Sequence, residues 1–147
     1  MKLDDKRSLW SNAEDSLYHA LEHVSYLSND IHNKKWIVLS VHHAADCFLK
    51  ILLDNIDDLD KYVKRNRYPS LSDTIKALRD SANYNKLTFS EQKMLELLDL
   101  LDGVRHQITH RSLPDKIDLS ITAFSILALL RAIGHRMEMS VKEIFDQ

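Results

Sequence analysis

The stretch that decides the fold runs from Asn33 to Asp54 and reads NKKWIVLSVHHAADCFLKILLD. Apolar side chains cover most of the circumference that this stretch would have as a helix: Trp36, Ile37, Leu39, Val41, Ala44, Ala45, Phe48, Leu49, Leu52 and Leu53. A helix that is apolar nearly all round needs neighbours on every side to shield it from water. The sequence therefore predicts a helix over 33–54 at the centre of a helical bundle.

Glycine and proline are scarce, with 2 of each among 147 residues. Average usage would give roughly ten glycines and seven prolines. Because β-sandwiches, tight turns and Gly-rich loops depend on such residues, the scarcity argues against these folds and predicts an all-α protein. With 44% hydrophobic and 29% charged residues, the chain has the size and apolar content of one domain. We expect a single helical domain spanning 1–147.

The segments on either side of the central helix also show helical spacing. The first helix is predicted to start at Ser11, because Ser11 and Glu14 have the form of a capping box, and to end near Asn29. A polar loop with one short helix in it is expected over 55–70. Further helices are predicted near Ser72–Ala82, from after Ser90 to Arg111, and from Asp118 to Phe145. The predicted architecture is an up-and-down bundle of four long helices plus one short helix.

Apolar stripes define the faces that these helices are expected to bury. The first helix offers Leu17, Leu21, Val24 and Leu27. The helix that ends at Arg111 offers Met94, Leu97, Leu98, Leu101, Val104 and Ile108. The last helix offers Leu119, Ala123, Ile126, Leu130, Ile133, Met137 and Val141 on one face, with Phe124 and Leu129 on another.

The sequence gives no indication of a membrane segment or a targeting segment. Uninterrupted apolar runs such as Ile126–Leu130 are far shorter than the 18 residues expected of a span, and residues 1–10 carry charges of both signs. A lone cysteine, Cys47, is typical of a reducing compartment, and we expect it to be a buried thiol. We therefore expect a cytoplasmic protein with no membrane partner. The net charge of −2 means that any contact with nucleic acid must be local.

An arginine and a histidine near the end of the fourth long segment are the best candidates for chemistry. Residues 103–110 read GVRHQITH, so Arg105 is followed directly by His106 and five positions later by His110. A guanidinium can hold a phosphate and balance the charge of a phosphorane. An imidazole can exchange a proton with a 2′-hydroxyl or a leaving 5′-oxygen near neutral pH. Such a set can cleave RNA without a metal ion.

One chain has a single histidine at the end of this motif, whereas acid and base catalysis ideally need two groups. A two-fold dimer would supply the second, because isologous contact brings the same patch of both subunits together. Gly103 lies seven residues before His110, on the same face, and would let another backbone approach closely. We therefore expect a homodimer in which two copies of Arg105 and His110 line one cleft.

Two features together resemble the HEPN superfamily: Asp46 followed four residues later by Lys50 in an apolar helix, and the Arg105 to His110 spacing at the end of a later helix. The resemblance implies a dimerising helical bundle and, as in active members, a metal-independent endoribonuclease that needs no cofactor. It also implies roles for four residues. Arg105 would grip the scissile phosphate and His110 would be the acid and base. His106 would replace the family's polar residue after the arginine, and Asp46 would orient the arginine.

Many HEPN proteins are toxins paired with a nucleotidyltransferase antitoxin, so such an antitoxin is a candidate partner. The alternative function is a non-catalytic HEPN-like module that binds a nucleotide or a nucleotidyltransferase. Structural explanations also stay open. Asp46 has the spacing of an ordinary ion pair with Lys50, and the charges of Arg105, His106 and His110 favour a helix C-terminus.

A third hypothesis, a metal-bearing bundle enzyme, rests on the spacing of histidines. Several have the i, i+4 separation that suits two ligands on one helix face: His42 and His43 with Asp46, His19 with His23, and His106 with His110. Eight histidines in one chain make such pairs common by chance. We do not predict a metal site.

The one marked basic cluster lies at 61–68 and reads KYVKRNRY. In single-stranded RNA recognition, cations hold phosphates while aromatic faces stack on bases. The candidate RNA-binding residues are therefore Lys61, Lys64, Arg65 and Arg67, flanked by aromatic side chains. A solvated surface loop is the alternative.

Overall fold

A computed structural model of the protein describes residues 1–25, 31–110 and 118–146, with the backbone alone at 31, 32, 110, 136–141 and 143–145. The helices are α1 (Leu3–Ser25), α2 (Ile31–Ile56), α3 (Leu71–Arg79), α4 (Ser81–Tyr84), α5 (Phe89–His110) and α6 (Ser120–Phe145). A 3₁₀ turn, Leu59–Tyr62, lies between α2 and α3. Helices α1, α2, α5 and α6 are long, and no β-strand occurs in the described residues. The predicted all-α fold is confirmed.

The predicted central helix is α2, which packs against α1, α3, α5, α6 and the 3₁₀ turn. It extends two residues beyond the predicted bounds at each end. Most of its circumference is buried: Ile37, Val38, Val41, Ala44, Ala45, Cys47, Phe48, Leu49, Ile51, Leu52 and Leu53. Each buried Leu, Ile or Phe side chain stabilises the fold by about 1.5–3 kcal/mol. The bundle is therefore organised around this one helix.

One helix of the described residues, Asn33–Ile56, is long and apolar enough to cross a membrane by length and composition alone. However, 61% of its apolar window is buried inside the molecule. The core helix of a soluble protein meets the same criterion, because neighbouring helices cover its apolar surface. Counting uninterrupted apolar runs does not detect this helix, because polar residues interrupt its apolar sequence.

Cys47 lies on a buried side of α2, with 2% of its surface exposed. Burial, and to a lesser extent the negative charge of Asp46, raises the pKa of its thiol to about 11. The thiol is therefore protonated at neutral pH. The prediction that Cys47 behaves as a small buried apolar residue is confirmed.

Helix α1 starts much earlier than predicted. It begins at Leu3 rather than at Ser11, and the predicted capping pair lies inside the helix, exposed to solvent. Two acidic residues, Asp4 and Asp5, occupy its first turn, where negative charge interacts favourably with the helix dipole. The early start also brings Trp10 edge-on against Phe48 of α2, with ring centroids 5.9 Å apart. Tertiary packing of the first turns therefore outweighs the local capping motif.

The buried face of α1 is narrower than predicted. Its buried residues are Ala13, Leu17 and Ala20. Leu21 and Val24, which were predicted to be buried, are 37% and 36% exposed. Leu27 lies outside the described residues. Small residues on α1 thus allow close approach to the bulky side chains of α2.

The predicted helix over Ser72–Ala82 is divided in two. Helix α3 is capped by Ser70, whose Oγ accepts a hydrogen bond from the backbone N–H of Asp73, and α4 follows after a break at Asp80. The buried Asn83 side chain holds the corner, because its Nδ2 donates to the Ala77 carbonyl at 3.0 Å and to the Tyr62 hydroxyl at 3.2 Å. The second of these helices continues to Tyr84, two residues beyond the predicted end at Ala82.

A capping box begins α5. The backbone N–H of Glu91 donates to Thr88 Oγ1 (3.2 Å), and the backbone N–H of Thr88 donates to Glu91 Oε1 (3.0 Å). These reciprocal bonds satisfy two amides that the helix itself leaves without partners. The helix begins at Phe89 rather than after Ser90, because Thr88 is its cap. Of the predicted stripe, Met94, Leu98 and Leu101 are buried, and Leu97, Val104 and Ile108 are partly buried.

The buried face of α6 differs from the predicted one. Its buried residues are Thr122, Ser125, Ile126, Leu129, Ala132 and Ile133. Ala123 and Leu130, which were predicted to be buried, are exposed, and so are Phe124 and Leu127. The side chains of Met137 and Val141 lie outside the described residues. Because α6 is apolar on several sides, periodicity alone did not identify which side faces the core.

We expect Thr88→Ala to lower the free energy of unfolding by about 1 kcal/mol, because it removes the side-chain acceptor of the α5 capping box. Thr88→Ser keeps the hydroxyl and serves as the matched control. Urea denaturation followed by circular dichroism at 222 nm measures both variants. Equal midpoints for the alanine and serine variants would show that the cap does not stabilise α5.

Candidate functional site

Helices α2 and α5 run antiparallel. Just before α5, Lys86 Nζ donates to the carbonyl of Ile56 at the end of α2, at 3.0 Å. Further along both helices, His42 of α2 meets Asp102 of α5. With a rise of 1.5 Å per residue, both contacts fit one antiparallel register. This register decides which of the predicted site residues can meet.

A hydrogen-bonded pair, His42 and Asp102, joins α2 to α5. The distance from His42 Nε2 to Asp102 Oδ1 is 2.8 Å, and the side chains are 14% and 30% exposed. Burial lowers the pKa of His42 and outweighs the bond to Asp102, which acts in the opposite direction, while the positive charge of Arg105 lowers the pKa further. The imidazole is therefore neutral at pH 7, so Nε2–H donates to the carboxylate and Nδ1 is left as an acceptor.

From the sequence, His42 was considered only as a metal ligand, and its hydrogen bond to Asp102 was not predicted. A signal was present, because a histidine in a helix that is apolar nearly all round needs a hydrogen-bond partner. The identity of the partner was not readable, because Asp102 lies sixty residues away in the chain.

Arg105 and His106 lie near the C-terminal end of α5 with exposed side chains. Within the described residues, no hydrogen bond or ion pair engages the Arg105 guanidinium, although its charge acts on the nearby His42. His110 is the last residue of α5, and its side chain lies outside the described residues. The structure thus places Arg105 beside the His42–Asp102 pair, and the chemical roles of Arg105, His106 and His110 stay predictions.

Asp102 hydrogen-bonds to His42 of α2 although Arg105 is its neighbour on α5. Asp102 precedes Arg105 by three residues, a spacing at which a carboxylate and a guanidinium can pair on one helix. Asp102 Oδ1 accepts the hydrogen bond of His42 instead. Within the described residues, no carboxylate pairs with the Arg105 guanidinium.

Asp46 is paired with Lys50, whose Nζ lies 2.5 Å from Asp46 Oδ2. In the antiparallel register Asp46 and Arg105 lie on opposite sides of the His42–Asp102 contact, about 10 Å apart along the helix axes. No hydrogen bond or ion pair joins them in the described part of the chain. Asp46 Oδ1 is buried and has no hydrogen-bond partner there. The predicted role of Asp46 in orienting Arg105 therefore stays a prediction, without a contact in the subunit to support it.

The histidine pairs do not assemble a larger ligand set in the described residues, which contain no group of three or more His, Cys, Asp or Glu able to hold a metal ion. His19 and His23 do meet on the surface of α1, with their Nε2 atoms 3.1 Å apart. His43 lies 3.8 Å from Cys47 Sγ rather than beside His42.

The basic cluster forms a short hairpin. Lys64 and Arg67 exchange two backbone hydrogen bonds of 3.0 Å, and the two residues between them, Arg65 and Asn66, have positive φ angles of 51° and 59°. This is the pattern of a type I′ turn, in which a left-handed arginine costs on the order of 1 kcal/mol or more. Lys61 lies outside the hairpin and pairs with Asp57 at 2.7 Å. Of the four predicted RNA-binding residues, the hairpin therefore contains Lys64, Arg65 and Arg67, whereas Lys61 lies outside it.

No family model matches the chain, and no curated protein or solved structure matches it.

Burial of neutral His42 predicts a loss of stability in acid. Because the pKa of His42 in the folded protein lies below its ordinary value of 6.5, the unfolded chain binds a proton more readily as the pH falls below 6.5. The contribution of His42 is therefore complete above pH 6.5 and is lost as the pH falls toward the folded-state pKa. We expect His42→Gln to lose less free energy of unfolding than the wild type between pH 7.5 and pH 5.5.

Urea denaturation at the two pH values measures this difference. His43→Gln is the matched control, because His43 is the exposed neighbour on the same helix, and it should lose as much stability as the wild type. An acid-induced loss in His42→Gln as large as in the wild type would contradict the assignment.

Proposed function

We propose that the protein is a metal-independent endoribonuclease of HEPN type that acts as a homodimer. The 2′-oxygen of the substrate would attack the adjacent phosphate, and the product would carry a cyclic phosphate. The observation that carries the proposal is the exposed Arg105 guanidinium, which has no ion-pair partner within the described residues and lies next to a hydrogen-bonded His42–Asp102 pair.

The chemical roles follow from the side-chain types. Arg105 would bind the scissile phosphate and stabilise the extra negative charge of the phosphorane. His110 would exchange protons with the 2′-hydroxyl and the leaving 5′-oxygen. His106 lies one helical turn before position 110 on α5, and its exposed ring is our candidate for contact with the substrate. His42 bonds Asp102 one turn before Arg105 and would thereby help to fix α5 against α2 at the proposed site.

The proposed dimer is supported by the outer surfaces of α5 and α6. Leu100 is 57% exposed, and Phe124 and Leu127 are 61% and 62% exposed. Gly103 lies one turn after Leu100, and a Cβ added there would meet none of the described residues within 4 Å. Packing inside the subunit therefore does not require a glycine at this position, whereas close approach of a second backbone would.

The resemblance to HEPN toxins supplies a candidate partner, a nucleotidyltransferase antitoxin. An enzyme of this kind acts on cellular RNA, so we place the protein in the cytoplasm as part of the proposal. A non-catalytic module that binds a nucleotide or a nucleotidyltransferase is the second candidate, and the exposed cations of the 64–67 hairpin favour it.

We expect the wild type to cleave single-stranded RNA in excess chelator, and Arg105→Ala and His110→Ala each to lower the rate at least a hundredfold, as loss of an acid–base or charge-stabilising group does. Arg131→Ala and His135→Ala, which remove the same residue types from the surface of α6, should keep the wild-type rate. Gel electrophoresis of labelled RNA measures the rates, and mass spectrometry identifies the cyclic phosphate.

Absence of cleavage by the wild type, or undiminished cleavage by His110→Ala, would end the ribonuclease proposal. Dependence on an added divalent ion would exclude the metal-independent mechanism.

We also expect Gly103→Gln to convert the dimer to a monomer, because its side chain would stand between the two backbones. The same change stabilises the isolated helix by up to about 1 kcal/mol, so loss of the dimer would not reflect unfolding. Asn12→Gln is the matched control, because Asn12 is an exposed position on α1, outside the surface of α5 and α6. Sedimentation velocity measures the oligomeric state, and a monomeric wild type at assay concentrations would overturn the proposed dimer.

A further inference from the structure

A cleft lies between the 64–67 hairpin and α3. Its volume is about 490 Å³. Three cationic side chains line it, Lys64 and Arg67 from the hairpin and Lys76 from α3, together with the ring of Tyr68 and one carboxylate, Asp73. Cations therefore outnumber acids in the lining. The cleft has the composition of a site for an anion that carries an aromatic group.

The hairpin holds two of these cations side by side. Lys64 and Arg67 are directly opposite each other in the turn, joined by two 3.0 Å backbone bonds, and opposite residues of a hairpin have Cβ atoms about 5 Å apart. The left-handed residues Arg65 and Asn66 fix the turn that places them there. The charged groups stand at the ends of long, flexible side chains, so both can turn toward one phosphate bound between them.

The described residues do not neutralise the cations of this cleft. No ion pair engages Lys64, Arg67 or Lys76 in the part of the chain that the structure describes. Lys61 differs, since its Nζ lies 2.7 Å from Asp57 Oδ1. The geometry thus excludes Lys61 from the candidate site and adds Lys76, which the sequence analysis did not include.

Tyr68 supplies the aromatic face. Its side chain is 43% exposed and the ring lines the cleft. Partial burial, followed by the negative charges of Asp5 and Asp60, raises the pKa of its hydroxyl. The hydroxyl is therefore protonated at neutral pH, and the exposed part of the ring offers a face on which a base can stack.

We propose that this cleft binds one nucleotide of single-stranded RNA, with its phosphate between Lys64 and Arg67 and its base stacked on Tyr68. Lys76 contacts a neighbouring phosphate. The proposal rests on the proposed function in taking RNA as the ligand, but it requires no catalysis. The cleft then anchors the substrate at a position other than Arg105.

The test is fluorescence anisotropy with a short, labelled 2′-O-methyl oligouridine, which lacks the 2′-hydroxyl nucleophile and cannot be cleaved. We expect Lys64→Ala/Arg67→Ala to weaken binding at least tenfold. The slope of log Kd against log salt should fall by about 0.7, since the variant loses one phosphate contact and each such contact to a single strand contributes about 0.7. Tyr68→Ala should weaken binding about tenfold through lost stacking, while Tyr68→Phe should bind like the wild type.

Lys93→Ala/Arg131→Ala is the matched control. It removes the same charge from another surface groove, between α5 and α6, and its affinity should stay within about twofold of the wild type. Circular dichroism checks the fold of each variant. If the alanine variants unfold, Lys64→Gln/Arg67→Gln carries the same test.

Unchanged affinity and salt slope in the Lys64/Arg67 variant would overturn the site, and so would failure of the wild type to bind the oligonucleotide. Equal affinity for a polyglutamate peptide, with no effect of Tyr68→Ala, would also overturn it and would indicate a surface that attracts any anion. Comparison of binding with cleavage distinguishes the two proposals. If the wild type binds the oligonucleotide normally but does not cleave RNA, the nuclease proposal is contradicted and the cleft is supported. If the wild type cleaves RNA and the cleft variants bind as it does, the nuclease is supported and the cleft is contradicted.

Discussion

Burial of α2 on nearly every side is the constraint on which the rest of the structure depends. A helix with so much apolar surface cannot be stable in water alone, and α1, α3, α5 and α6 each cover part of it. Polar groups on such a helix are confined to a strip, and each must find a partner. His42 finds Asp102, and Asp46 finds Lys50. Arg105 therefore lies beside the polar strip of α2, next to His42.

The fold could be predicted from the sequence because it depends on composition and on apolar periodicity. Scarce glycine and proline and the long apolar stretch of 33–54 led to the correct class and to the correct central helix. The errors arose where local and tertiary preferences compete. The Ser11 motif has a capping form, but packing of Trp10 on Phe48 extends α1 to Leu3. On α6, several faces are apolar, so periodicity could not identify the buried one.

The candidate site was less predictable because it depends on register between helices. Arg105 and His110 could be identified as chemically capable, since reactive side-chain types and spacing are visible in a sequence. The bond from His42 to Asp102 could not, because its existence depends on how two helices, distant in the chain, slide along each other. The hairpin of 64–67 was equally hidden, since a type I′ turn usually contains glycine, whereas this turn has Arg65 and Asn66.

Cys47 gives the central helix a built-in reporter. It is the single cysteine of the chain, it is almost completely buried, and the high pKa of its thiol makes it slow to react with alkylating agents at neutral pH. Modification requires an opening that brings this side of α2 into contact with water. The alkylation rate of the untouched natural protein therefore gives the frequency with which its bundle opens, without any engineered label.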